Sequence, residues 1–192
     1  MTRDQILEAA AQIFRTKGFH AASMRDIAEA VALQKASLYH HFSSKQEILL
    51  ELLDQGLDLL TAKLVEICSQ PLSPEEKLRA AMCSYLQNMT DHLDLAAVLL
   101  LEHRSLAPEL RARHTKRRDR FEKLWRDLIQ EGVNTGIFSC PDPAMASRIL
   151  LGSMNWAVTW YRPDGPLSAG EIADQCADLF FRGLLVRDKS YI

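Results

Sequence analysis

The chain lacks any uncharged apolar run long enough to cross a bilayer, which takes about 18 residues or more, so no membrane span is expected. Its N-terminus, MTRDQILEAAAQIF, has charges inside an amphipathic repeat. It has neither the unbroken apolar stretch nor the small-residue cleavage site of a secretory signal. Cysteine is sparse: Cys68, Cys83, Cys140 and Cys176 are scattered and form no CxxC pair. Free thiols in a reducing, cytoplasmic setting are the simple expectation. Neither sign of charge dominates, with 23 Lys and Arg against 25 Asp and Glu and a formal net charge of −2. That balance argues against a generally basic coat protein, so any nucleic-acid binding must be local. Sustained period-two alternation is missing, and the 8 Gly and 7 Pro lie mostly at the ends of periodic segments. No strand is expected. GxSxG, P-loop and HExxH motifs are all absent, and His20, His40, His41, His92, His103 and His114 have no metal-site spacing. The expectation is a non-enzyme with no metal and no cofactor.

What remains is helical. Hydrophobic residues make up 47% of the 192, enough for a real core in one compact domain or in a small head with a larger body. Ile6, Ala9, Ala10, Ile13 and Phe14 recur at the 3.6-residue period over residues 3–17, and Gly18 ends that helix. Ser44, with Glu47 as capping-box partner, opens a long helix striped by Leu49, Leu52, Leu53, Leu57, Leu60 and Leu64, running to about Ser69. SQPLSPEE is the clearest break, with Ser73 as cap, Pro74 at the first helical position and Glu76 completing the box. A helix carrying Leu78, Met82, Tyr85 and Met89 follows, then a compact apolar segment, LDLAAVLLLEH. A long helix spans about 108–133, another opens at Pro143 with Asp142 as cap, and Ser168 caps the last.

The stretch SMRDIAEAVALQKASLYHHFSSK, residues 23–45, is the most informative. Ser23 and Asp26 form a capping box, and Ile27, Ala28 and Val31 share one face. Leu33 marks a turn, and the helix after it turns Leu38 and Phe42 inward while Lys, Ser, Tyr and His side chains face out. A short polar helix held by an upstream helix meets the requirement for reading a major groove. Ile27, Ala28, Leu33, Lys35, Leu38, Tyr39, His41, Phe42, Ser44 and Lys45, preceded by Ile6, Ala9, Phe14, Gly18 and Phe19, resemble the N-terminal domain of TetR-family transcriptional regulators. Ala32 departs from that pattern where Gly is common, so a turn of positive φ would be strained. Gln34 stands where a small capping residue is common and weakens the cap of the next helix.

The resemblance implies an all-α chain: a three-helix DNA-binding head over residues 1–46, and a ligand-binding, dimerising body over 47–192. Arg25, Gln34, Lys35, Ser37, Tyr39, His40, Ser44 and Lys45 are the expected DNA-binding residues, with Tyr39, Lys35 and Lys45 on phosphates. The N-terminus of the fourth helix, at Ser44 and Lys45, offers N–H groups to a phosphate.

In the body, ILLGSMNWAVTWYRP is apolar around most of its circumference and must be covered on two sides, either as a central helix of a monomer or by its own core and a partner copy. Ala157, Trp160, Ile172, Cys176, Leu179 and Phe180 are the expected contacts between two copies, and the resemblance also implies a homodimer. Met82, Tyr85, Met89, Phe121, Trp125, Met154, Asn155 and Trp156 fall on helices that would surround one interior, either plain core or an adaptable effector cavity. The basic run RARHTKRRDRFEK, residues 111–123, has the pattern of a solvated face. Even so, His114 and Arg117 lie in register with Leu110, Phe121, Leu124 and Leu128. Cations on a core face need acceptors, which Glu102, His103 or an anionic effector could supply. His103, His114 and Arg117 therefore join the expected ligand-binding set. The run from Asn155 to Leu185 resembles a TetR branch whose members often respond to acyl-CoA thioesters. The expected function is a repressor on a palindromic operator, released by a small apolar or acyl-CoA-like effector. A regulator without an effector, or a helical interaction protein that has lost DNA binding, would fit the same pattern.

Overall fold

A computed structural model describes residues 2–184. The part of the expected body beyond residue 184 lies outside the described residues. Every regular element among them is a helix: α1 (Arg3–Lys17), α2 (Met24–Ala30), α3 (Lys35–His41), α4 (Lys45–Cys68), α5 (Pro74–Asp91), α6 (Leu93–Leu101), α7 (Pro108–Asn134), α8 (Pro143–Trp160) and α9 (Ala169–Leu184). A single 3-10 turn, His103–Ser105, stands between α6 and α7. None of these helices is long and apolar enough to cross a membrane.

The starts follow local chemistry. Ser23 Oγ accepts the Asp26 N–H at 3.1 Å, and the Asp26 carboxylate accepts the Ser23 N–H at 2.7 Å. Ser73 with Glu76 and Ser168 with Glu171 repeat that box at α5 and α9. Asp142 Oδ1 takes the Ala144 and Met145 N–H groups at the start of α8, satisfying donors that have no partner within the helix. A fourth box, Thr2 with Gln5, opens α1 and was not foreseen in the sequence. Two departures behave as expected. Ala32 adopts φ 53°, the left-handed region that costs an L-residue with a Cβ about 1–2 kcal/mol. Gln34 caps α3 through its backbone only.

Packing divides the described chain into two units, residues 2–59 with 92–118, and residues 60–91 with 119–184. In the first unit Ile6, Phe14, Phe19, Ile27, Leu38, Phe42, Leu49 and Leu53 form one core, which Val98 and Leu106 join. Packing therefore does not stop at residue 46, the expected limit of the head. α6 closes the side of α1, and the apolar segment LDLAAVLLL supplies buried surface that the first three helices need.

In the second unit α9 packs on α5, and α5 also meets α8. Phe181 lies 6.1 Å from Phe138, ring centroid to ring centroid, with the Arg79 guanidinium over it at 5.2 Å. Lys77 reaches Glu131 at 2.9 Å, and Arg79 reaches Asp178 at 2.6 Å. Gly132 is required sterically, because a Cβ there would stand 2.0 Å from the Phe138 ring.

Candidate nucleic-acid interface and effector cluster

The seven-residue α3 is too short to hold itself together. It is held from below by Leu38 and Phe42, at 0% and 1% exposure. That fixes what faces out: Gln34, Lys35, Tyr39 and His40 are exposed and Ser37 is half-buried. The Lys35 ammonium hovers 5.8 Å from the Tyr39 ring centre, so a cation and a phenol are paired on the outer face. Arg25, on α2, makes a 2.7 Å pair with Glu29, but both ends are in water, where such pairs hold weakly. Arg25 thus stays available to a phosphate.

Lys45 is placed differently from expectation. Its ammonium donates to the carbonyls of Phe19 at 2.6 Å and Ala22 at 2.5 Å, with His20 O at 3.3 Å, and it lies 4.4 Å from the centre of the Phe19 ring. Burial lowers its pKa, opposed by the nearby Asp26 and Glu102 charges. All three ammonium protons are directed at the α1–α2 turn, which corrects its assignment as a phosphate contact. The start of α4 is also partly filled. Ser43 donates its N–H at 2.7 Å and its hydroxyl at 2.6 Å to Glu47 Oε2, holding that carboxyl below its ordinary pKa. Ser44 Oγ takes the Glu47 N–H at 3.2 Å, so its oxygen serves as a helix cap.

A clasp that the sequence did not reveal closes the other end of the recognition helix. Arg3 donates to the His41 carbonyl and to both oxygens of Glu51, and it stacks 3.9 Å over the Phe42 ring centre. One side chain thereby joins the beginning of α1, the end of α3 and α4. Partners more than thirty positions apart in the chain leave no periodic signal.

The expected effector residues fall into two groups. His103, His114 and Arg117 belong to the first unit, where each faces a neighbour of its own unit. His103 Nδ1 is 3.1 Å from the Leu100 carbonyl. His114 is 2% exposed, with Nδ1 3.5 Å from Asp54 Oδ1. Burial pushes its pKa down, against the upward pull of Asp54. Arg117 pairs with Asp58 and stands 3.5 Å from Asp54, which Arg113 also reaches at 3.1 Å. The carboxylates nearest Arg117 and His114 are thus Asp54 and Asp58 of α4, and not Glu102. Glu102 instead takes the Phe19 N–H at 3.0 Å and the Ser105 hydroxyl at 2.8 Å. A usable signal existed: Asp54 sits inside the leucine stripe of α4, where an isolated carboxylate would be costly and a cationic partner is required.

The second unit gathers most of the rest. Met82, Tyr85, Met89, Phe121, Trp125 and Met154 are all buried there. The Tyr85 ring lies 6.1 Å from Phe121 and 5.8 Å from Trp125, and its hydroxyl donates to Asn155 Oδ1. Burial raises the Tyr85 pKa, so the phenol stays neutral. Trp156 does not belong to this group: it is 67% exposed. Two expected dimer contacts are also corrected. Ala157 and Ile172 face the unit's own core at 3% and 6% exposure, while Trp160 and Leu179 are exposed at 50% and 75%. Cys176 and Phe180 are half-buried. Met145, Ile149, Trp156 and Trp160, at spacings that share one face of α8, form the uncovered apolar stripe.

Residues 6–52 match the family described as bacterial regulatory proteins, tetR family, and residues 71–184 match a tetracyclin repressor-like C-terminal domain. The HTH-type transcriptional repressor KstR2 of Mycobacterium tuberculosis H37Rv is 31% identical over 184 residues, 95% of this chain and 92% of that protein. The crystal structure of PfmR, a TetR family transcriptional regulator from Thermus thermophilus, is 40% identical and superposes with a TM-score of 0.87 over 96% of this chain and 100% of that one. AibR, solved in complex with isovaleryl coenzyme A and operator DNA, is 29% identical with a TM-score of 0.87 over 94% of this chain and 98% of that one. With matches over both its N- and C-terminal regions and a helix-turn-helix held by its own core, the chain belongs to the TetR family of DNA-binding transcriptional regulators.

Proposed function

We propose that the chain is a cytoplasmic, homodimeric repressor that binds a two-fold-related operator and is released from it by an acyl-CoA-like effector. The observation that carries this reading is the outer face of α3, where Gln34, Lys35, Ser37, Tyr39 and His40 stand on a helix anchored by Leu38 and Phe42. Inserted in a major groove, such a face offers Gln34 and His40 to base edges and Lys35 and Tyr39 to phosphates. Two copies supply two such helices, and the apolar stripe on α8 with Leu179 on α9 is the surface through which they pair. The similarity to AibR supports an acyl-CoA effector, and KstR2 supports repression. The aromatic and methionine cluster of the second unit is the effector-binding region, because thioether side chains adapt to an apolar chain. The effector acts by binding more tightly to the DNA-free geometry of the dimer than to the operator-bound one.

The test is selection of bound sequences from random duplex DNA, followed by titration of the selected duplex complex with acyl-CoA thioesters. Recovery of a palindrome with half-sites about 10 bp apart or a small multiple of that, and its release by an acyl-CoA, are the expected results. Binding without sequence preference would refute the reading.

A further inference from the structure

Buried N–H groups in folded proteins nearly always find an acceptor. Trp125 departs from that rule. It is 1% exposed, and among the described residues its indole Nε1 has no hydrogen-bond partner. The indole stands edge-on to Tyr85 at 5.8 Å and to Phe121 at 6.3 Å, inside the aromatic cluster of the second unit. Tyr85 spends its proton on Asn155 Oδ1. The buried methionines of the same group, Met82, Met89 and Met154, carry only thioether sulfur, a weak acceptor. The cluster therefore has a donor without a matching acceptor, in a setting otherwise suited to an apolar chain.

We propose that Trp125 Nε1–H is the group that recognises the carbonyl oxygen of the effector, so that the site selects an acyl thioester over an equally apolar compound without a carbonyl. This deepens the effector reading above and rests on it. The chemistry of the two partners fits. An indole is a donor only, and a thioester carbonyl is an acceptor with no proton to give. A carboxylate would have to carry its charge into an apolar interior, whereas a thioester enters neutral. Discrimination follows from the same geometry. A site whose buried donor is left unpaired by an analogue rejects that analogue more strongly than a missing methylene would.

The experiment compares wild type with Trp125→Phe, which removes the donor and keeps an aromatic ring. Isovaleryl-, octanoyl- and palmitoyl-CoA are titrated calorimetrically against their thioether counterparts, in which a methylene replaces the carbonyl. Wild type is expected to favour at least one thioester over its thioether by about tenfold. Trp125→Phe is expected to lose the preference, binding that thioester and its thioether alike. A full preference retained in Trp125→Phe overturns the assignment while leaving the effector reading intact. Equal binding of both classes by wild type has the same meaning. Failure of every acyl-CoA to bind wild type removes the acyl-CoA reading, and this assignment with it. Should the variant not fold, the wild-type protein supplies the measurement through its three indole N–H resonances. The one that persists when Trp156 and Trp160 are each replaced by Phe belongs to Trp125, and it should move downfield with the bound thioester and not with the thioether. A resonance that does not move refutes the contact.

Discussion

Replacing Lys45 by alanine separates two roles that a lysine near DNA can have. If it neutralises a phosphate, its loss flattens the dependence of log K on log salt by about 0.9 for each contact removed and leaves folding alone. The structure puts its ammonium on the carbonyls of Phe19 and Ala22 at 2.6 and 2.5 Å, near His20 O and over the Phe19 ring. Loss then acts on the fold. A hydrogen bond to a charged group is worth about 1.5–3 kcal/mol, and the half-buried position allows water to replace part of it, so ~2 kcal/mol is the expected cost. At roughly 2–4 °C per kcal/mol for a chain of this size, Tm falls by about 4–8 °C. Operator and nonspecific DNA should both bind more weakly, with the salt slope unchanged. Lys35→Ala, on the outer face of α3, is the control: its slope should flatten while its Tm holds. Fluorescence anisotropy across a salt series and a thermal melt give both quantities. A Lys45→Ala protein with wild-type Tm and a flattened slope would refute the clamp.

Ala32→Gly should stabilise the protein by about 0.5–1 kcal/mol, because relief of the positive φ exceeds the added backbone entropy of the unfolded chain; a loss of stability in urea would contradict the strain. Burial depresses the pKa values of His114 and His103, so the unfolded chain binds more protons near their ordinary value. Their contribution is complete above about pH 6.5 and is lost as pH falls below it, so urea midpoints should drop between roughly pH 7 and 5. The drop should be smaller in His114→Gln, and an equal drop would sink the argument. Trp156→Glu combined with Leu179→Asp should give folded monomers by sedimentation, because both side chains are exposed within one copy. Ala157→Glu should instead unfold the second unit, since that position faces its core. A dimer that survives the first change places the pairing surface elsewhere.

The signals legible in the sequence were the local ones. Ser23–Asp26, Ser73–Glu76 and Ser168–Glu171 each lie three residues apart, so the boxes that start α2, α5 and α9 can be read directly. The inward face of α3 was legible for a related reason, since Leu38 and Phe42 repeat one helical turn apart. Side-chain partners distant in the chain were not. Arg3 meets residues 38 to 48 positions away, and nothing in RDQIL says so. On α8 the difficulty was angular. A helix apolar on nearly every side gives no hint of which side its own unit covers, and one step of about 100° separates buried Ala157 from exposed Trp156. The basic run of α7 was ambiguous for want of its partners, and Asp54 and Asp58 resolve it.

The first unit is assembled from two stretches of chain, with residues 60–91 belonging elsewhere between them. Its core is incomplete without Val98 and Leu106, and the turn after α1 is incomplete without Glu102. A fragment ending after α3 or early in α4 would therefore expose Phe14 and Phe19 to water without the side chains that cover them. Exchanging DNA specificity between regulators built this way takes either two joints, one on each side of the intervening segment, or substitutions confined to the outer face of α3. Single-crossover chimeras would inherit mismatched halves of one core. Recombination within such a family should accordingly favour small changes in the reading helix over transfer of the reading domain as a block.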